Sequence, residues 1–196
     1  MTITSDTDGC LPMSIENRSL PGALLFVGAA QFILVIAITQ ALYPGYSVAT
    51  NFLSDLGVGQ TALLFNASVA VLGVCVFIGS LIGRRALGRG LTTTLAITGA
   101  CAVGVGGFPE STGAPHVVFS IAIFVFGAVS AIISYRVLRP PLSHFSVGLG
   151  IIALVALVLM FTLHDLGIGR GGMERVTAYP ILLWALGFGG SLIGAK

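Results

Sequence analysis

Nine basic and seven acidic side chains are all the formal charge this 196-residue chain carries, and several stand close to a histidine or to one another. Glu110 and His116 lie six residues apart across the short, proline-bounded segment GFPESTGAPH. His164 and Asp165 are adjacent, and the segment they open, HDLGIGRGGMER, carries Arg170 and closes on Glu174 and Arg175. Asp55 ends the stretch YSVATNFLSD. Carboxylates and imidazoles are the groups of acid–base chemistry and, around an open coordination position, of zinc-like centres. A metal reading takes His116 and His164 with two of Asp55, Glu110 and Asp165, the leading set being His116, His164, Asp55 and Glu110. No HExxH, HxxxH or CxxC spacing supports it, so the ligands would have to converge from three separate segments. The competing reading matches the acids to Arg175, or to Arg170, as a buried ionic network or a headgroup clamp. The arginine is favoured, because a guanidinium can bridge two carboxylates while the histidines lack ligand spacing. The cofactor is left open, with a metal ion as the alternative. A nucleophile reading fails: there is no G-x-S-x-G, Ser54 beside Asp55 has no base visible in the sequence, and no phosphate loop is present. Cys10, Cys75 and Cys101 share neither metal-ligand nor redox spacing.

The elements that must hold these groups follow from composition. The chain is 56% hydrophobic and 8% charged, against about 25% charged for a soluble domain. A chain this apolar cannot cover itself in water, so its solvent is lipid. Six apolar runs are long enough to cross, at 21–43, 61–83, 91–108, 116–138, 145–164 and 176–194, with no charge inside any of them but Arg136, near the end of the fourth. The expected fold is therefore all-α: a compact bundle of six transmembrane helices over 20–196, preceded by a polar tail over 1–19. Pro21 is expected to open the first span, and Pro44, Pro109, Pro115, Pro140 and Pro141 fall in connections, where helix breakers belong. Pro180 falls inside the last span and is expected to kink it. Cations mark the cytoplasmic side. With the N-terminus inside, that side holds Arg18, Arg84, Arg85, Arg89, Arg136, Arg139 and Lys196, seven against Arg170 and Arg175 outside. The expectation is a multi-pass protein of the cell membrane with both termini cytoplasmic. A net charge of +2 with no basic, aromatic-interleaved patch excludes a nucleic-acid partner.

In that topology every acid beyond the tail lies on the outer side: Asp55, Glu110, Asp165 and Glu174, together with His116 and His164. Polar groups at the mouth of an apolar bundle are costly unless paired, hydrated or used, so they are expected to converge. Plainer roles stand beside this one. Glu174 suits a helix N-terminal dipole, and His116 suits a hydrogen bond to a loop carbonyl. Gln31, Gln40 and Asn66 suit interhelical hydrogen bonds. His144 is expected to be solvated, and Arg84, Arg85 and Arg89 to meet anionic lipid. The pattern L-x-D-L-G-[VI]-G recurs at 53–59 and 163–169, and local Asp capping is favoured over duplicated ancestry. Small residues four apart, Gly79/Gly83, Ala100/Gly104, Gly127/Ala131 and Gly187/Ser191, let helix backbones approach. Such faces would also suit a homo-oligomer.

The run Y-P-G-Y…N-F-L-S-D-L-G, then F-N-A-S, then G-F-P-E…H, and G-G-M-E-R-V with Trp184 beyond it, resembles a prokaryotic membrane family catalogued as domain of unknown function 998. The resemblance covers about residues 20–194. It implies a six-helix membrane protein with Asp55, Asn66, Glu110, His116 and Arg175 gathered on one side, and it implies no activity. The functional expectation is a membrane protein whose outer polar cluster binds a lipid headgroup or small polar ligand, with membrane lipids as partners. The alternatives are a hydrolase-like enzyme acting on a lipid, with or without a metal, and a structural or accessory subunit. Transport is disfavoured by the lack of charge at mid-membrane depth.

Overall fold

The computed structural model describes residues 16–162 and 164–194, so most of the tail expected over 1–19 lies outside the described residues, as do Cys10, Leu163 and Lys196. Six helices carry the fold: α1 (Glu16–Leu42), α2 (Ala62–Ile82), α3 (Arg84–Gly107), α4 (Ala114–Ile133), α5 (Leu142–Phe161) and α6 (Gly169–Gly194). Each includes a stretch long and apolar enough to cross a membrane, and among the described residues there is no strand. Helices are what this composition requires, since hydrocarbon offers no partner to a backbone N–H or C=O and a helix satisfies its own.

The helices alternate in direction and close into a ring, each packing on its chain neighbours and α6 returning to α1, with α6 also touching α4 across the middle. Glycine sets the closest approaches. A Cβ on Gly73 would stand 2.6 Å from Gly99 O, and one on Gly99 would stand 2.7 Å from Gly73 O, so α2 and α3 meet backbone to backbone. Gly22 and Gly189 do the same for α1 and α6. Of the small-residue pairs expected from spacing, Gly79 and Gly83 face Pro21 of α1, and Gly127 meets Ile181 of α6. A Cβ on Gly104 of a third pair would stand 2.5 Å from the Phe119 ring of α4. The backbone-to-backbone contacts of Gly73 with Gly99 and Gly22 with Gly189 involve none of these pairs, because which glycines meet depends on helix rotation. Phe188, Leu25, Leu91 and Met173 are fully buried at the centre, while Leu34, Leu63, Val118 and Val158 point outward, as an exterior in contact with lipid requires.

Three boundaries differ from the hydropathy reading. Helix α6 begins at Gly169, seven residues before the expected span, and α1 begins at Glu16, which puts buried Pro21 inside the helix rather than at its opening. Helix α3 begins at Arg84 and breaks at Gly88 (φ 76°, ψ 160°). Apolar runs report where hydrocarbon lies. Helical hydrogen bonding continues past that limit wherever neighbouring protein covers it, and the extra turns of α6 carry Glu174 and Arg175.

Candidate functional site

The site forms at the end of the bundle where residues 43–61, 108–113 and 162–168 connect the helices. The first of these connections holds short 3-10 turns at Ser54–Gly57 and Gly59–Thr61. It lies directly on the start of α6: Gly171 N–H donates to Ala49 O (3.0 Å), and a Cβ on Gly171 would fall 2.1 Å from Asn51 O. One turn later Arg175, buried, grips the same segment. Its Nη1 donates to Val48 O (3.0 Å), Asn51 O (3.1 Å) and Gly171 O (2.7 Å), its Nη2 donates to the Tyr46 hydroxyl, and the guanidinium lies over the Tyr46 ring. Burial pushes the Tyr46 phenol up, with Arg175 opposing. The neutral hydroxyl thus accepts from Arg175 and donates to Phe52 O at 2.9 Å. Asp55 Oδ2 accepts from Asn51 Nδ2 (2.8 Å) and Phe52 N–H (3.0 Å). At the other side of the connection, Asn66 Nδ2 donates to Gly57 O (2.9 Å).

Glu174 faces away from its neighbour Arg175. It is 8% exposed, its Oε2 accepts from Leu53 N–H, and the charges of Glu110, Arg175 and Asp55 reach it. Glu110 opens the 3-10 turn Glu110–Thr112. Burial first, then a hydrogen bond shared with the Asp55 carboxyl, raise its pKa above the usual carboxylate value, and the Ser54 hydroxyl pulls the other way. Glu110 Oε2 is buried without a hydrogen-bond partner. His116, in the first turn of α4, lies with Nδ1 2.8 Å from Phe108 O. A carbonyl only accepts, so Nδ1 carries the hydrogen and Nε2 is the ring nitrogen left for another partner. Glu110, His116 and Glu174 line one cavity of ≈ 180 Å³ with Ser54 and Ser120. Three segments therefore present two carboxyls, an imidazole and two hydroxyls to one space.

The expected groups are only partly united. Asp55 adjoins Glu110 but does not line the cavity. Arg175 bridges no pair of carboxylates among the described residues: its Nη1 and Nη2 donate to Val48 O, Asn51 O, Gly171 O and the Tyr46 hydroxyl, and its Nε is buried without a partner. His164 and Asp165 line a separate cavity of ≈ 140 Å³ with Arg170. His164 Nδ1 lies 3.2 Å from Thr162 Oγ1, and Asp165 Oδ1 accepts from Gly167 N–H at 3.1 Å. Both aspartates of the repeated pattern thus make local bonds, Asp55 backward along the chain and Asp165 forward. Asn66 is a loop tether, whereas Gln31 joins α1 to α2 through Ser68 O (2.9 Å) and Ser68 Oγ (2.7 Å). Among the described residues no three His, Cys, Asp or Glu converge as a metal ion needs, so the set His116, His164, Asp55 and Glu110 does not assemble. Ser120 was not anticipated, although its place one turn after His116 on an otherwise apolar face was a readable signal. Tyr46 and Asn51 gave no such signal, since their partners are backbone carbonyls and a carboxylate set by the loop path.

A ring of six apolar helices, capped at one end by a folded polar connection, defines a multi-pass membrane protein. The chain belongs to the family described as "Protein of unknown function (DUF998)", which matches residues 26–190. No curated protein and no solved structure matches it.

Proposed function

We propose that this protein binds the cationic, donor-rich headgroup of a membrane lipid in the cavity shared by Glu110, His116 and Glu174. One observation carries the reading: two carboxyls and an imidazole face the same space, while the guanidinium of Arg175 is hydrogen-bonded elsewhere. Buried carboxylates need a compensating charge, and an ammonium group donating to Glu174 and to the unpartnered Glu110 Oε2 supplies it. The arginine-rich opposite end supports an extracytoplasmic position for this cavity. The hydrolase reading has less support, because among the described residues no hydrogen bond links His116 to the hydroxyls of Ser54 or Ser120.

Thermal unfolding of the detergent-solubilised protein with equal mole fractions of dodecylamine, dodecanol and dodecanoate tests this. The amine raises the melting temperature, by about 2.7 kcal/mol of stability at a hundredfold excess over Kd, and the carboxylate does not. Glu174→Gln combined with Glu110→Gln removes the difference. Equal effects of all three probes would reduce the cavity to a structural feature.

A further inference from the structure

The polar cavity continues inward along α6. A second cavity of ≈ 60 Å³ shares Ser54, His116, Ser120, Phe124 and Glu174 with it. A third, of ≈ 70 Å³, shares Phe32, Ile123, Phe124 and Ala178 with the second and is walled by apolar side chains apart from Thr98. Phe124 lines all three. The innermost cavity reaches Trp184, ten residues beyond Glu174 and so about 15 Å further along the helix. At its outer edge the first cavity is bounded by Val117 and Ile121 of α4 and by Leu157, Met160 and Phe161 of α5. Val117 and Phe161 are also 47% and 55% exposed on the flank of the bundle. The rim of the polar cavity therefore faces the hydrocarbon between α4 and α5.

We infer that the occupant is a single-chain alkyl amine admitted sideways between α4 and α5, with its ammonium at Glu110 and Glu174 and its chain running past Phe124 to Trp184. This rests on the headgroup reading above and adds the tail. The sequence of surfaces matches such a molecule in order: carboxyls at the mouth, two hydroxyls and a phenyl ring next, then an apolar chamber. Both inner chambers are small, ≈ 60 and ≈ 70 Å³, and share the rings of Phe32 and Phe124 as a wall, which suits one chain better than two. Lateral access also spares the chain a passage through water, since the rim and the chain are both apolar.

Trp184 is the chain's single tryptophan and is buried, so its fluorescence reports the tail directly. Dodecylamine brominated at its terminal carbon is titrated into the protein in bromine-free detergent, against dodecylamine brominated beside the amine. The terminal bromine extinguishes most of the Trp184 emission with saturation, the proximal bromine extinguishes little, and a two-chain phospholipid brominated in both tails extinguishes little. Ala178→Leu, which narrows the junction of the inner chambers, weakens the quenching by the terminal bromine. Stabilisation by the amine without terminal-bromine quenching overturns the tail path and leaves the headgroup reading standing. Quenching by the proximal bromine, or by the two-chain lipid to the same extent, overturns the path as drawn. Neither stabilisation nor quenching overturns both.

Discussion

Glu110 illustrates what a single side chain does at this end of the bundle. Its carboxyl faces Asp55 from the first connection, Glu174 from α6 and the His116 imidazole from α4, and burial with the Asp55 hydrogen bond holds its pKa above the ordinary 4.5. A raised folded-state pKa means the protonated form is preferred on folding. The corresponding stability is complete below the ordinary carboxylate value and is lost as pH rises through the raised one. Glu110→Gln keeps the shape and the capacity to hydrogen-bond Asp55 but cannot ionise. As pH rises above the ordinary carboxylate value, the melting temperature of the native protein should therefore fall more steeply than that of Glu110→Gln. Parallel curves would show that Glu110 ionises there without cost. Glu174 is present in both proteins, so the difference between the curves belongs to Glu110 together with its charge coupling to Glu174 and Asp55.

At the scale of the element, Arg175 makes most of the side-chain hydrogen bonds that hold the first connection to α6, beside the bond from Leu53 N–H to Glu174. Residues 43–61 contain no regular helix beyond two short 3-10 turns, and their carbonyls at Val48 and Asn51 would be stranded in a largely apolar setting without a donor. Arg175 supplies that donor from a helix whose rotation is fixed by Gly171 beneath the same carbonyls. Hydrogen bonds to a charged group contribute roughly 1.5–3 kcal/mol each in net terms. Arg175→Ala should accordingly destabilise the detergent-solubilised protein by about 3 kcal/mol, and limited proteolysis should cut first within 43–61. Arg175→Lys should recover only part, because an ammonium lacks the planar fork that spans several oxygens. An Arg175→Ala protein as stable and as protease-resistant as the parent would mean that the connection is held by its own turns. The lateral rim between α4 and α5 depends on this packing only indirectly, through Leu53, whose N–H fixes Glu174.

At the scale of the molecule, the asymmetry of charge gives a testable orientation. Arg84, Arg85, Arg89, Arg136 and Arg139 cluster at one end, and Asp55, Glu110, Asp165 and Glu174 at the other. In intact cells, a cysteine-free protein carrying a new cysteine at exposed Ser111 or Leu166 should react with an impermeant maleimide. One carrying it at exposed Gly90 or Pro140 should react only after the membrane is opened. The reverse pattern would move the cavity to the cytoplasmic leaflet and leave its geometry unchanged.

The sequence alone determined the number of helices, their order and the end at which the acids gather, because each is a sum over many residues. Twenty apolar positions in a row must cross as a helix, whichever neighbours they find. It also determined local chemistry, such as the bond from Asp165 to Gly167 and the loop-carbonyl partner of His116. The tertiary structure decided which members of the polar set share a space. Adjacent residues on a helix point about 100° apart, so Glu174 entered the cavity and Arg175 turned to the loop, a division that no spacing announces. It decided, too, that His164 and Asp165 stand in a different cavity from Glu110 and His116. The series of cavities from Glu174 to Trp184 exists only in the assembled ring, since their walls come from α1, α2, α3, α4 and α6 together. Hydropathy measures what each helix prefers as solvent. The rotation of each helix about its axis comes from glycine contacts such as Gly73 with Gly99 and Gly22 with Gly189, and that rotation places the functional groups.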